Sequence, residues 1–581
     1  MNFYYTAEKN VQMLIYLLKK NNIKKVIASP GTTNVTFVAS LQHDQFFEMY
    51  SAADERSAAY MACGLAAESG EPVVLSCTGA TASRNYIPGL TEAFYRKLPV
   101  LAVTSTQQLA KVGQLVPQVI DRSRIQNDIA VKSVQIPTIN SKEDEWDCNI
   151  KLNDAILALS HRGGGPVHIN LTTNYTNDFS VKELPKYRVI RRISLSNNFP
   201  EIKQGTKVAI FVGAHLPWDE ELTNLVDDFC EKYNAVVMMD HTSNYKGKYG
   251  VEYNLVAAQS YPYSTKKMDL LIDFGEMSGA YMNLCPQNSW RISPDGKIQD
   301  RWRNLSYVFD MDEKEFFKYY VQKRSGKNTD YAKACQEEYK NLIAHVPQLP
   351  FSNDWIASVT ARQLPSNSVL YLGILNSLRS WNFFEVPSSI DCYSNTGGFG
   401  IDGTLSTLIG SSLANKERLH FCVVGDLAFF YDLNSLANHN VGNNIRILLV
   451  NNGCGTEFKN YNHFVAQFGD MGNEYIAAKG HYGNKSRNLV KHYATDLGYE
   501  YLTASNKEEY TKNLKRFLTP ELTDKPMIFE VFTDYPEESD ALKDINTLKE
   551  APVTVKSTAK KAVKSILGQE TVNKLKRIVR G

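Results

Sequence analysis

Short apolar runs alternate with helix-length amphipathic segments along nearly the whole chain. Val26–Ser29, Val73–Cys77, Val100–Thr104 and Val167–Leu171 are largely apolar and bounded by Gly, Pro or charged turns. Runs of this kind, without polar alternation, predict parallel strands covered by helices on both faces. The pattern returns at Val208–Gly213, Val236–Asp240 and Leu270–Gly275, and again from Val369–Gly373 to Met527–Phe532. A polar linker around Ser194–Gly205 and the new βα series from about 352 divide the chain. The expected architecture is α/β, three doubly wound parallel-sheet domains at 1–185, 195–345 and 352–545, with a tail at 550–581. The closing strands Val167-His168-Ile169-Asn170-Leu171 and Met527-Ile528-Phe529-Glu530-Val531 look alike, as expected if the first and third domains share one fold.

Composition narrows the class without naming an activity. At 581 residues and 43% hydrophobic, the chain is long enough for three globular domains. Lys+Arg 64 against Asp+Glu 62 leaves a net charge of +2, so no global field favours nucleic acid. Nine cysteines include no C-x-x-C pair, and Cys63 and Cys77 in apolar runs read as buried thiols of a reduced compartment. Met1-Asn2-Phe3-Tyr4-Tyr5 leads into a charged helix rather than a signal peptide, and no stretch is long enough to span a bilayer. The cytoplasm is the expected address. The tail departs from this balance: Val553–Gly581 is strongly basic and opposed only by Glu570, with apolar residues at helical spacing. Peripheral docking on an anionic membrane or a protein partner is one expectation there. Packing on the same subunit, or a solvated tail, is the other.

Candidate chemistry gathers at two strand ends. Val423-Val424-Gly425-Asp426-Leu427 is followed, after a helix-length spacer, by Leu448-Leu449-Val450-Asn451-Asn452-Gly453. Asp426 offers a carboxylate and Asn452 an amide oxygen, hard ligands suited to Mg²⁺ or Ca²⁺. Parallel strands joined by one helix would set these ends side by side at the carboxyl edge of a sheet. The Gly425 turn and the helix start after it would leave N–H groups for a diphosphate. Any βαβ unit can carry Asp and Asn at its strand ends, so a purely structural pair is the alternative.

The pair resembles the GD…NN signature of thiamine-diphosphate enzymes, which hold their cofactor through Mg²⁺. The resemblance implies Asp426, Asn452 and the carbonyl of Cys454 as metal ligands, with Gly425 and Leu427 beside the diphosphate. That family also needs a distant glutamate that hydrogen-bonds the aminopyrimidine ring and activates the cofactor. Glu55 fills this place, because Glu55 to Ala66 is similar to the family's E-x-x-x-x-x-x-A-x-G-x-A helix. The match sharpens on the 2-succinyl-5-enolpyruvyl-6-hydroxy-3-cyclohexene-1-carboxylate synthases of menaquinone biosynthesis. Ser29-Pro30-Gly31, the run Ser394 to Gly403 against SNRGxxGIDG, and Gly425 to Leu436 against GDLxxxxDLNxL carry it. It implies pyrimidine-binding, central and diphosphate-binding domains, Ile401 as the residue that bends the cofactor, and Gln118 as a polar contact. It also implies a homo-oligomer with its active site between subunits.

Departures from that synthase bear on substrate. SPGSR becomes Ser29-Pro30-Gly31-Thr32-Thr33, SNRG becomes Ser394-Asn395-Thr396-Gly397, and DRP becomes Thr104-Ser105-Thr106-Gln107-Gln108. Arginines pair bidentately with carboxylates, and each charged hydrogen bond contributes about 1.5–3 kcal/mol. An acceptor other than isochorismate is therefore expected, with Thr32, Thr33, Gln118, Arg379 and Thr396 as substrate-side candidates. Arg379 lies near another family arginine but out of register. The expected activity is decarboxylation of a 2-oxo acid with transfer of the acyl carbanion to an acceptor, a carboligase. A simple decarboxylase of the phosphonopyruvate or sulfopyruvate type, the menaquinone-pathway synthase itself, and a non-catalytic scaffold are the alternatives. His215 and His463 are acid–base candidates, His439 is expected on a helix as a structural residue, and Lys297, Arg301 and Arg303 read as a solvated basic face.

Overall fold

The computed structural model describes residues 4–280, 282–480 and 486–549. The basic tail lies outside them. The first six strands are β1 (Lys25–Ala28), β2 (Glu48–Ser51), β3 (Val73–Cys77), β4 (Val100–Thr106), β5 (Lys132–Ile136) and β6 (Val167–Thr172). Next come β7 (Arg191–Ile193), β8 (Val208–Val212), β9 (Ala235–Met239), β10 (Gly250–Glu252), β11 (Lys267–Phe274), β12 (Cys285–Ile292) and β13 (Leu305–Phe309). The last six are β14 (Val369–Leu372), β15 (Asp391–Tyr393), β16 (His420–Gly425), β17 (Ile445–Asn451), β18 (Glu500–Ala504) and β19 (Met527–Phe532). They form three parallel sheets with helices interspersed, the α/β class expected from the apolar runs. Two compact units divide the chain: residues 1–199 with 288–311, and residues 200–287 with those from 312 onward.

The first unit is built on a sheet of order β2-β1-β3-β4-β6-β5. β3, β4 and β6 are buried at every position, which is why their sequences show no polar alternation. Asp54 caps the helix Glu55–Ser69 by accepting from the Ser57 N–H at 2.7 Å, and Gly70 ends it at φ +68°. The buried face of that helix is Ala58, Ala59, Ala62, Cys63 and Ala66. These small residues let the helix Ile87–Tyr95 approach so closely that a Cβ at Gly89 would stand 2.4 Å from the Ala59 Cβ. In the same unit β13 pairs in parallel with β12 and β7.

In the second unit β8 pairs with β9 and β11, and β10 extends from β9. Its six-stranded sheet has the order β15-β14-β16-β17-β19-β18, the same permutation as the first sheet. β16 and β17 are apolar and buried almost throughout, at about 1.5–3 kcal/mol of transfer free energy per large aliphatic side chain. Among the described residues, no helix is long and apolar enough to cross a membrane. One sequence expectation is corrected: His439 sits in an exposed turn, because the helix Asp426–Tyr431 gives way to a 3-10 segment at Leu433–Ala437 and stops.

Candidate active site

In an open parallel sheet the crevice opens where neighbouring strands send their connections to opposite sides. In the second unit that place lies between β14 and β16. A cavity of about 210 Å³ opens there, lined from the β14 end by Gly373, Leu375 and Asn376, and from the β16 end by Gly425, Asp426 and Leu427. The end of β17 adds Asn452, Cys454 and Gly455, and Ile401 completes the wall. The register Gly425↔Val450 between β16 and β17 holds these strand ends side by side. Every residue predicted to bind metal or diphosphate thus meets in one cavity.

Asp426 is 6% exposed, and its Oδ1 accepts from the Leu427 N–H at 2.9 Å. Burial pushes its carboxyl up to about 7, although N–H groups of Leu427 and Gly453 favour the anion, and nearby Glu530 adds to the rise. Among the described residues no cation pairs with it. Asn452 donates through Nδ2 to Thr456 Oγ1 at 3.3 Å, while its Oδ1 is buried without any hydrogen-bond partner. A buried carboxylate lacking a counter-ion beside an unmatched amide oxygen is a costly arrangement for the protein alone. A hard divalent cation satisfies both groups at once. Among the described residues no three His, Cys, Asp or Glu side chains gather as a metal site, so a cation here takes one carboxylate, neutral oxygens and the oxygens of its ligand.

The strand order of the first unit places the corresponding topological crevice between β1 and β3. Thr33, 2% exposed, lies 2.6 Å Oγ1 to Oγ1 from Thr78, donates to the Ser105 carbonyl at 3.0 Å and accepts from the Gly79 N–H at 3.2 Å. Thr32 beside it is exposed. Gln118 is also exposed and holds φ at +63°, a region that non-glycine residues rarely adopt. Its carbonyl passes 3.2 Å from where a Gly79 Cβ would stand, so the loop lies closely over that glycine. Glu55 begins its helix half-buried and accepts from Asn85 Nδ2 at 3.2 Å.

The chain matches the family described as thiamine pyrophosphate enzyme, N-terminal TPP binding domain, over residues 9–125. A 2-succinyl-5-enolpyruvyl-6-hydroxy-3-cyclohexene-1-carboxylate synthase of Bacteroides thetaiotaomicron is 30% identical over 93% of this chain and 98% of that protein. The synthase of the same name from Phocaeicola vulgatus is 31% identical over 93% and 98%, and that of Flavobacterium psychrophilum 25% over 90% and 95%. The chain belongs to the thiamine-diphosphate enzymes.

Other candidates of this thiamine-diphosphate enzyme are placed as follows. Arg379 forms an ion pair with Glu457 and donates to Asn376 Oδ1 at 3.3 Å. Thr396 is buried, its N–H bonded to the Ser394 carbonyl at 2.8 Å. His215 Nδ1 lies 2.7 Å from the Leu216 carbonyl, and His463 Nδ1 accepts from the Val465 N–H at 3.2 Å. Neither histidine lines the cavity. Lys297 pairs with Asp295, Arg303 with Glu143, and Arg301 stacks on Trp302.

Sequence reasoning missed Arg122. Its side chain is 5% exposed at the first-unit crevice, and Nη2 donates to the Ser105 carbonyl at 3.3 Å. Nε and Nη1 have no partner, and burial lowers the guanidinium pKa to about 10, so it stays a cation at neutral pH. Asp121-Arg122-Ser123-Arg124 reads as a solvated loop, and nothing in the sequence signals that burial.

Proposed function

We propose that this protein is a Mg²⁺-dependent decarboxylating transferase: it removes CO₂ from a 2-oxo acid and passes the acyl carbanion to an acceptor. The observation that carries the reading is the buried, unpaired Asp426 beside the orphaned Asn452 oxygen in a strand-end cavity. Asp426, Asn452 and the Cys454 carbonyl would hold Mg²⁺, Gly425 and Leu427 would lie at the diphosphate, and Ile401 would pack against the cofactor. Thiamine diphosphate, when bound, supplies a nucleophilic carbon and a sink for the electron pair left by CO₂. The chain supplies the rest. Glu55 shares a proton with the aminopyrimidine ring, and Leu375, Ile401, Leu427 and Phe458 line the cavity with apolar surface that excludes water.

Thr32, Thr33, Gln118, Arg379 and Thr396 are the substrate-side residues of this reading. The unpaired Arg122 guanidinium supports a donor with a second anionic group, since a buried cation is stabilised by a bidentate anion. Tyr60 and Met61, on the Glu55 helix, are 49% and 46% exposed, which supports a homo-oligomer. We keep domain bounds of 1–185, 195–345 and 352–545 as part of this reading.

A second reading, the menaquinone-pathway synthase itself, is favoured by the 30–31% identity to the synthases over 93% of the chain. The threonines at positions 32, 33 and 396 weigh against it. The test is CO₂ release from pyruvate, 2-oxoglutarate, phosphonopyruvate and sulfopyruvate, with thiamine diphosphate and Mg²⁺, then product formation with isochorismate. Release that depends on Glu55 supports the transferase, and turnover of isochorismate selects the second reading. No release and no cofactor binding would sink both.

A further inference from the structure

A second cavity of the second unit, of about 230 Å³, shares Leu375 with the cofactor cavity. Five asparagines stand on its wall: Asn254, Asn283, Asn382, Asn462 and Asn546. Phe383 and Phe399 add two aromatic rings. Arg379 is the one charged side chain among the described residues of that wall, and Glu457 already neutralises it. Asn546 is the most telling member. Its Nδ2 donates to the Tyr461 hydroxyl at 3.2 Å, whereas its Oδ1 is buried without a partner.

A carboxamide presents donors and an acceptor but no net charge. Several around one space match hydroxyl groups, which also donate and accept, and aromatic faces cover the C–H surface of a ring. An anion entering the same space would lose water and meet no free cation, an unfavourable exchange. The volume lies below the usual drug-sized range of about 300–1,000 Å³ and suits a single substituted ring.

We propose that this cavity is the acceptor site, and that the acceptor is an uncharged, polyhydroxylated ring bearing an electrophilic carbon. The inference rests on the transferase reading above. In the reaction the C1–C2 bond of the donor breaks and CO₂ leaves. The electron pair left at C2 forms the new bond to the acceptor's electrophilic carbon. The pair displaced from the acceptor's double bond takes up one proton from solvent, so the sum is 2-oxo acid plus acceptor plus proton giving adduct plus CO₂.

The test uses the full-length protein loaded with thiamine diphosphate and Mg²⁺, and one hydroxylated ring in an anionic and an uncharged form, shikimate and its methyl ester. By calorimetry the ester is expected to bind about tenfold tighter or more. Equal or tighter binding of shikimate overturns the proposal, as does failure of both to bind. Asn546→Leu is expected to weaken the ester about tenfold, in line with one lost hydrogen-bond partner. Asn283→Lys, on an exposed part of the wall, places a free cation there and is expected to reverse the preference. Unchanged preference in both variants counts against the site. Failure of the transferase reading looks different: the cofactor does not bind, or no 2-oxo acid of the panel releases CO₂, whatever the ring probes do.

Discussion

The two six-stranded sheets have the same strand order, yet their crevices hold unpaired charge of opposite sign. At the β1/β3 crevice the hydroxyls of Thr33 and Thr78 satisfy each other, and what remains unmet is the buried cation of Arg122. At the β14/β16 crevice what remains unmet is the buried carboxyl of Asp426, together with the Asn452 oxygen. Topology supplies a crevice in both cases and is silent about its chemistry. A residue at a strand end, Asp426, sets the charge of one crevice, and a residue of a long loop, Arg122, sets that of the other. In the proposed reading a metal would answer Asp426, and an anionic substrate group Arg122.

Four measurements can break or sharpen that contrast. The largest effect is expected for Glu55→Gln, which should lower CO₂ release by about 10²–10⁴-fold while thiamine diphosphate still binds, since it removes proton exchange and not the metal cradle. Asp426→Asn should act the other way round, weakening Mg²⁺-dependent cofactor binding by about a hundredfold in calorimetric titration. If both variants lose binding equally, the division of labour between the crevices is wrong.

The third measurement asks whether unpaired acids are general in the second unit. The buried Asp354 has its carboxyl raised by burial from 3.8 to about 6, with Ser380 and Arg379 opposing the rise. The folded state therefore holds a proton that the unfolded chain has released between these values. Stability should fall as pH rises from about 4 to 6, by about 3 kcal/mol, and stay lower above that window. Asp354→Asn should flatten this part of the denaturation profile, and an unaltered slope would show that the acid is paired after all. The smallest effect is expected for Arg122→Gln: a KM increase of about 10–100-fold for donors with a second anionic group, and little change for pyruvate. An equal loss for both donor types would reduce Arg122 to a packing role.

Legibility in the sequence followed burial. β3 and β19 were readable to the residue, because strands covered on both faces are spelled in continuous apolar letters. The flanking strands β2, β5, β15 and β18 were not, being short or part-exposed and built from residues such as Glu48, Lys132 and Glu500 that read as loop. That Asp426 and Asn452 share one cavity was legible because they sit directly at the ends of two readable strands, whose register brings them together. The burial of Arg122 was not. Its burial depends on how an irregular loop with a left-handed Gln118 folds over Gly79, and no periodicity encodes that.

Leu375 stands in the wall of both second-unit cavities, and it does so with φ at +64°, where a branched side chain is under torsional strain of about 1–3 kcal/mol. One side chain therefore shapes two chambers. A substitution at Leu375 recarves both cavities at once.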